Sequence, residues 1–211
     1  DKKKPVASHF NRIATPDEYF AGGWITIRAK ESENDIVYHL LDDTRDSHNK
    51  RALDVGCGVG GYFNILLDKG FAVVGFDIAE NVIKVCCSKY AERDSVKLMV
   101  ADIECLPFQQ DSFDIALCID TLQYVDEKVR KSALENLTKL LKPGGLIIFE
   151  VKNKACLVYW LKRFRDTLGE RYSIASVTSV LKNSGCKIEA IKGVFKPTFL
   201  SPIVLVKARK V

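Results

Sequence analysis

The chain has little with which to hold a metal or to build a redox pair. Histidine occurs only at positions 9, 39 and 48, and none of the seven cysteines, at 57, 86, 87, 105, 118, 156 and 186, falls in a CxxC pair. A zinc site or a redox dithiol needs such ligands at short, fixed spacings, so no metal is expected. An odd cysteine count, with several cysteines inside apolar runs, speaks against a disulfide framework and for reduced thiols in a cytoplasmic setting. Long hydrophobic runs are missing too. No stretch reaches the about eighteen apolar residues of a membrane-spanning helix, and Asp1-Lys2-Lys3-Lys4-Pro5 has no apolar segment behind it. Charge of one sign is in modest excess: the net charge is +5, carried largely by short tails such as residues 2–4 and 207–210. That is too little for a nucleic-acid-binding stripe. Neither a repeat nor a low-complexity linker interrupts the 211 residues, and 47% hydrophobic content is enough for one core. A single domain over residues 1–211 is expected.

What is present is an alternation of strand and helix signals. Residues 51–55, 71–76, 96–100, 113–119 and 145–149 are short, nearly continuous apolar runs, the pattern of parallel strands buried on both faces. Helical periodicities fall between them, for example Leu134, Leu137, Leu140 and Leu141 on one side of residues 129–141. Repeated units of this kind imply a doubly wound α/β sheet with helices on both faces. Upstream, residues 31–43 place Ile36, Val37, Leu40 and Leu41 on one helical face, behind an irregular or short-helical leader over 1–30 that carries Phe10, Tyr19, Phe20 and Trp24. Residues 1–43 therefore read as a leader, or lid, plus a helix, and 50–151 as a ligand-binding core. Residues 152–211 hold a basic amphipathic segment, a helix over 174–183, and two strands at 187–194 and 203–208.

The strongest local signal is Leu53-Asp54-Val55-Gly56-Cys57-Gly58-Val59-Gly60-Gly61, where a strand hands over to a helix. Glycine permits otherwise costly backbone angles and lets a ligand approach the main chain. Gly56, Gly58 and Gly61 fit the dinucleotide GxGxxG, whereas Gly56, Gly58 and Gly60 fit GxGxG, so the loop alone is ambiguous. The second strand ends in Asp77, where a carboxylate can accept hydrogen bonds from two ribose hydroxyls. Three features separate the alternatives. Asp54 stands two residues before the first glycine, where it would repel a pyrophosphate and attract a cation. Asp102 and Ile103 follow the third strand, one suited to an exocyclic amine and the other to an adenine face. Residues 141–145 form a Lys-Pro-Gly-Gly turn before the fifth strand, which has no role in hydride transfer.

Taken together, LDVGCGVGGY (53–62), VVGFDIAENVI (73–83), ADIECLPF (101–108), FDIALCIDTLQYV (113–125) and LLKPGGLIIFEV (140–151) resemble the successive motifs of class I, Rossmann-like S-adenosylmethionine-dependent methyltransferases. The likeness is greatest to the small-molecule branch that includes ubiquinone and menaquinone biosynthesis enzymes. It implies a seven-stranded, mostly parallel sheet with an antiparallel last strand, and S-adenosylmethionine as cofactor. It also implies roles. Gly56, Cys57 and Gly58 would lie along the methionine and ribose, and Asp54 would reach the amino group. Asp77 would hold the ribose, Ile78, Asp102 and Ile103 would frame adenine, and Cys118 and Ile119 would line the cofactor.

Methyl transfer from a sulfonium mainly requires an aligned nucleophile and exclusion of water, and a hydroxyl acceptor adds the need for a base. Relatives commonly place a histidine after strand four, whereas this chain has Asp120-Thr121-Leu122-Gln123-Tyr124. The candidates are then Gln123, Tyr124, Glu150 and Asn153. Tyr19 and Trp24 could cover an acceptor beside Tyr124, or could serve core packing. Residues 152–168 interleave Leu157, Trp160 and Phe164 with Lys154, Lys162, Arg163 and Arg165, which suits either a solvated helix or one lying on an anionic membrane. The Asn/Asp-Pro-Pro-Tyr/Phe signature of amino-methylating nucleic-acid enzymes is absent. The expected acceptor is a small or lipid-linked molecule: a quinone precursor, sugar or natural product. An RNA or protein methyltransferase and a non-catalytic S-adenosylmethionine binder are the alternatives.

Overall fold

A computed structural model describes residues 3–12, 24–44, 49–156 and 170–211. Its centre is one seven-stranded sheet in the order β3-β2-β1-β4-β5-β7-β6. The strands are β1 (Arg51–Val55), β2 (Ala72–Asp77), β3 (Val96–Val100), β4 (Phe113–Cys118), β5 (Leu141–Lys152), β6 (Cys186–Gly193) and β7 (Ile203–Lys210). β1 to β5 pair in parallel, and β7 runs antiparallel to both of its neighbours, β5 and β6. Strand order reverses at β1, which opens a crevice above the carboxyl ends of β1 and β4.

Alternating side chains feed two cores, which is why the central strands read as unbroken apolar runs. Leu53, Val55, Ala116, Cys118, Ile147 and Phe149 face one side, under α5 (Glu127–Leu140) and α6 (Ile174–Asn183), which bring Leu134, Leu137, Val177 and Leu181. Ala52, Ile115, Leu117 and Ile148 face the other, against α2 (Trp24–Leu40), α3 (Phe63–Asp68) and α4 (Glu80–Lys89), which supply Val37, Leu40, Phe63, Leu66, Ile83 and Cys86. The expected doubly wound sheet with helices on both faces is the observed one.

Several local expectations change. Within the leader α1 (Lys3–Asn11) is the short helix that was one of the two expectations, but α2 starts at Trp24, ahead of the expected residue 31; no proline or glycine breaks that earlier stretch. Residues 142–145 do not precede β5 but bulge within it: Phe113 pairs with Leu141 and Ile115 with Leu146, with Gly144 at φ +77°. The cations at 207–210 are not a loose tail. They belong to β7, where Lys207 and Arg209 meet Glu189 and Lys210 meets Asp111. No described helix is long and apolar enough to cross a membrane.

Candidate active site

The glycine loop leaves β1 at Gly56, and its conformation explains its composition. Gly56 has φ +66°, and a Cβ there would lie 2.4 Å from the Thr121 hydroxyl. That hydroxyl is 2.9 Å from the carbonyls of both Val55 and Ile119, so it ties the ends of β1 and β4 together. The Cys57 amide donates to the Phe76 carbonyl at 2.9 Å, and the Gly58 amide donates to Asp77 Oδ2 at 3.1 Å. Asp77 Oδ1 accepts from the Ala79 amide at 2.9 Å, fixing the entry to α4.

Beside this loop lies a pocket lined on one side by Gly56, Asp77 and Ile78, on another by Asp102 and Ile103, and on a third by Asp120 and Tyr124. Val6 and Phe10 of α1 close it. Phe10 meets the Tyr124 ring edge-to-face with centroids 5.3 Å apart. α1 is itself fastened to α4, since Asn81 donates through its amide to Asn11 Oδ1 at 3.0 Å and through Nδ2 to the Asn11 carbonyl at 2.9 Å. Phe10→Ala should therefore open the pocket and weaken S-adenosylhomocysteine binding about fivefold, the size of one lost aromatic contact, with an unchanged unfolding midpoint. Calorimetric titration checks the first part and thermal denaturation the second.

Below the pocket the side chains are acidic and buried. Asp54 is only 2% exposed, and its Oδ2 has no hydrogen-bond partner among the described residues. Burial pushes its pKa up to about 7, against the pull of Lys30 and with the push of Asp77. Burial also raises Asp77, although the amides of Ala79, Gly58 and Ile78 pull it back. Nearby, Lys30 Nζ donates to Glu33 Oε1 at 2.7 Å and to Tyr62 Oη at 2.6 Å, and the Tyr62 hydroxyl donates to the same Glu33 oxygen.

A second cluster stands at the ends of β4 and β5. Asp120 lines the pocket with φ +54°, in the left-handed region that aspartate enters more readily than most non-glycine residues. Its amide donates to Glu150 Oε2 at 2.9 Å, and its Oδ1 accepts from Gln123 Nε2 at 2.5 Å. Lys152 Nζ stands 2.9 Å from Glu150 Oε1 and 3.4 Å from Asp120 Oδ1. Burial raises Glu150 to about 7, with Lys152 opposing and Glu33 and Asp120 reinforcing. Burial alone would lower Lys152, but Glu150 and Asp120 outweigh it and hold the ammonium charged. Arg130 anchors the turn that carries Gln123 and Tyr124, donating to the carbonyls of Leu122 and Val125 at 3.1 and 3.0 Å.

Of the residues expected from the sequence, Gly56, Asp77, Ile78, Asp102, Ile103 and Tyr124 converge on the pocket. Asp54 sits beneath it. The side chains of Cys57, Cys118 and Ile119 are buried, and the Cys57 thiol packs toward Gly75, so any cofactor contact from these positions falls to the backbone. Glu150 and Gln123 back Asp120. Asn153 turns elsewhere: its Nδ2 donates at 2.9 Å to the carbonyls of both Phe199 and Ser201, and its Oδ1 accepts from the Ala155 amide, which spends the side chain on a loop and corrects its expected place beside an acceptor. Tyr19 lies outside the described residues, as do the Trp24 side chain and residues 157–169. Lys152 ends β5 in an ion pair and is not part of an amphipathic helix. Phe10, Thr121 and Asp120 were missed. Asp120 is the second residue after β4, and that position was the signal for it.

A doubly wound sheet with a glycine loop after its first strand and a ribose-type acid after its second defines a Rossmann-like nucleoside-binding protein. A family model described as a methyltransferase domain matches residues 53–149. A sterol 4-C-methyltransferase of Caenorhabditis elegans is 31% identical over 157 residues, 68% of this chain and 46% of that protein. A ubiquinone biosynthesis O-methyltransferase of Coxiella burnetii is 34% identical over 128 residues, 60% of this chain and 53% of that protein. The chain thus spans about half the length of these curated relatives. Among solved structures, magnesium protoporphyrin IX methyltransferase from Synechocystis PCC 6803 with bound SAH shares the fold, with a TM-score of 0.80 at 20% identity over 99% of this chain and 100% of that one. Residues 53–149 thus form a methyltransferase domain, and the chain has the fold of the class I S-adenosylmethionine-dependent methyltransferases.

Proposed function

We propose that the protein transfers a methyl group from S-adenosylmethionine to a hydroxyl of an apolar or lipid-linked small molecule, of the quinone-precursor kind. The observation that carries the cofactor half is the buried, unpartnered Asp54 oxygen beside the glycine loop. An acid there suits the ammonium of the methionine moiety and would repel a pyrophosphate. Asp77 holds the ribose, while Asp102 and Ile103 frame the adenine. S-adenosylmethionine, when bound, supplies an electrophilic methyl on a cationic sulfur. Asp120, oriented by Gln123, Lys152 and the Glu150 contact to its amide, takes the proton of the hydroxyl. Support for an apolar acceptor comes from relatives named for a sterol and for ubiquinone biosynthesis. The cysteines, all free, support a reducing compartment such as the cytoplasm.

The test is release of S-adenosylhomocysteine on incubation with a panel of catechol-type quinone precursors, sterols, tRNA and protein. Turnover on a phenolic acceptor is expected, with Asp120→Asn lowering kcat by about a hundredfold or more, the usual contribution of a positioned base, while S-adenosylhomocysteine affinity stays within about twofold. Turnover confined to tRNA or protein, or tight cofactor binding with no turnover on any member of the panel, would reject the reading.

A further inference from the structure

The carboxyl edge of the sheet carries a second feature that the cofactor pocket does not use. Lys152 of β5 pairs with Ile203 of β7, and Gly193 of β6 pairs with Val204, so the loop joining β6 to β7 projects from the same edge as the site. That loop is tightly built. The Asn153 amide donates to the Pro202 carbonyl at 2.8 Å, and its side chain holds the carbonyls of Phe199 and Ser201. Ser201 Oγ accepts from the Phe195 amide at 3.1 Å and donates to the Ile203 carbonyl at 2.6 Å. A Cβ at Gly193 would lie within 2.8 Å of Ser201, Phe195 and Thr198, so the turn closes on itself only with glycine there.

With these backbone groups bonded inward, the large apolar side chains point out. Phe199 is 66% exposed, and Phe195 and Leu200 are also exposed. Such a tip can enter an apolar phase without carrying those amides in unsatisfied. Its surroundings are cationic. Residues 190–211 contain no acid at all, and Lys154, Lys192 and Lys196 are exposed. The neighbouring acids are engaged, Glu150 with Lys152 and Glu189 with Arg209.

We propose that the β6–β7 loop docks the protein on an anionic lipid surface, with Phe195, Phe199 and Leu200 inserted among the acyl chains and Lys154, Lys192 and Lys196 at the headgroups. Apolar insertion and lysine attraction each give too little alone, and two signals together give stable but reversible attachment. The docked orientation turns the carboxyl edge, with Asp120 at the pocket, toward the bilayer. The inference deepens the lipid-linked acceptor reading, which it rests on for its purpose but not for its test.

The experiment is sedimentation of the 211-residue chain with vesicles of phosphatidylserine in phosphatidylcholine, and with phosphatidylcholine alone. Wild type should partition onto the anionic vesicles and be released by salt. F195S/F199S should lower that partition at least about thirtyfold, as expected for two part-buried rings. K192E/K196E should abolish the preference for anionic over neutral lipid, given about a fivefold contribution per lysine near such a surface. Both variants should bind S-adenosylhomocysteine as wild type does, which shows that they are folded. The proposal is overturned if wild type prefers neither vesicle, if the variants sediment like wild type, or if light scattering shows a dimer that F195S/F199S dissociates, since a second copy would then cover the tip. Loss of S-adenosylhomocysteine binding by wild type would sink the cofactor reading and leave the vesicle result standing.

Discussion

Asp77→Ala is expected to weaken S-adenosylhomocysteine binding by at least about a hundredfold, the largest single effect on the cofactor site. Each carboxylate oxygen of Asp77 already accepts one amide, from Gly58 and from Ala79, and each keeps a lone pair for a ribose hydroxyl. Hydrogen bonds to a charged group contribute about 1.5–3 kcal/mol each, so two of them account for two to four decades of affinity. The alanine variant also frees the loop, and Asp77→Asn separates the two effects. Asparagine retains one acceptor, so one loop amide stays bound and the affinity should fall to an intermediate value. Calorimetric titration of the three proteins with S-adenosylhomocysteine, and with NADH as a control, makes the measurement. Equal affinity in wild type and Asp77→Ala, or NADH binding by wild type, would return the glycine loop to a dinucleotide.

The parts of the site that were legible in the sequence are those fixed by local patterns. Gly56, Asp77 and Asp102 each stand where an apolar run ends, and in a parallel sheet those ends share one edge, so listing the strands was enough to gather them. Side-chain direction was not legible in the same way. Cys57 belongs to the loop, yet its thiol turns into the core, because a loop has no fixed period from which to read a face. Glu150 and Gln123 were recognisable as strand-end and turn polar groups, but only the pairing of β4 with β5 brings Glu150 to Asp120, and only the fold of the 120–124 turn brings Gln123 to it. Phe10 stayed hidden because α1 covers the pocket through a contact with α4 seventy residues away in sequence. The Lys-Pro-Gly-Gly segment read as a turn and is a bulge, since its glycines fit either geometry and only the register across β4 decides.

Asp54→Asn should remove the pH dependence of cofactor binding and most of the preference for S-adenosylmethionine over S-adenosylhomocysteine. In the free protein the raised pKa of about 7 leaves Asp54 largely protonated at pH 6, and the proposed ammonium partner requires it ionised. Binding must therefore expel a proton. Affinity should rise about tenfold between pH 6 and pH 8, with up to one proton released per ligand at pH 6 and almost none at pH 8. Because the folded-state pKa lies above the ordinary 3.8, Asp54 stabilises the free protein most at acid pH, and that contribution fades as pH climbs through about 4 to 7. The asparagine variant should flatten this part of the melting profile. The sulfonium adds a charge that S-adenosylhomocysteine lacks, so the ratio of the two dissociation constants should grow with pH in wild type and stay constant in the variant. Glu150, also raised to about 7, titrates in the same window, and Glu150→Gln identifies its share. Titrations in two buffers of different ionisation enthalpy count the protons directly. A proton release that survives Asp54→Asn but disappears in Glu150→Gln would move the cofactor-linked charge from the end of β1 to the end of β5.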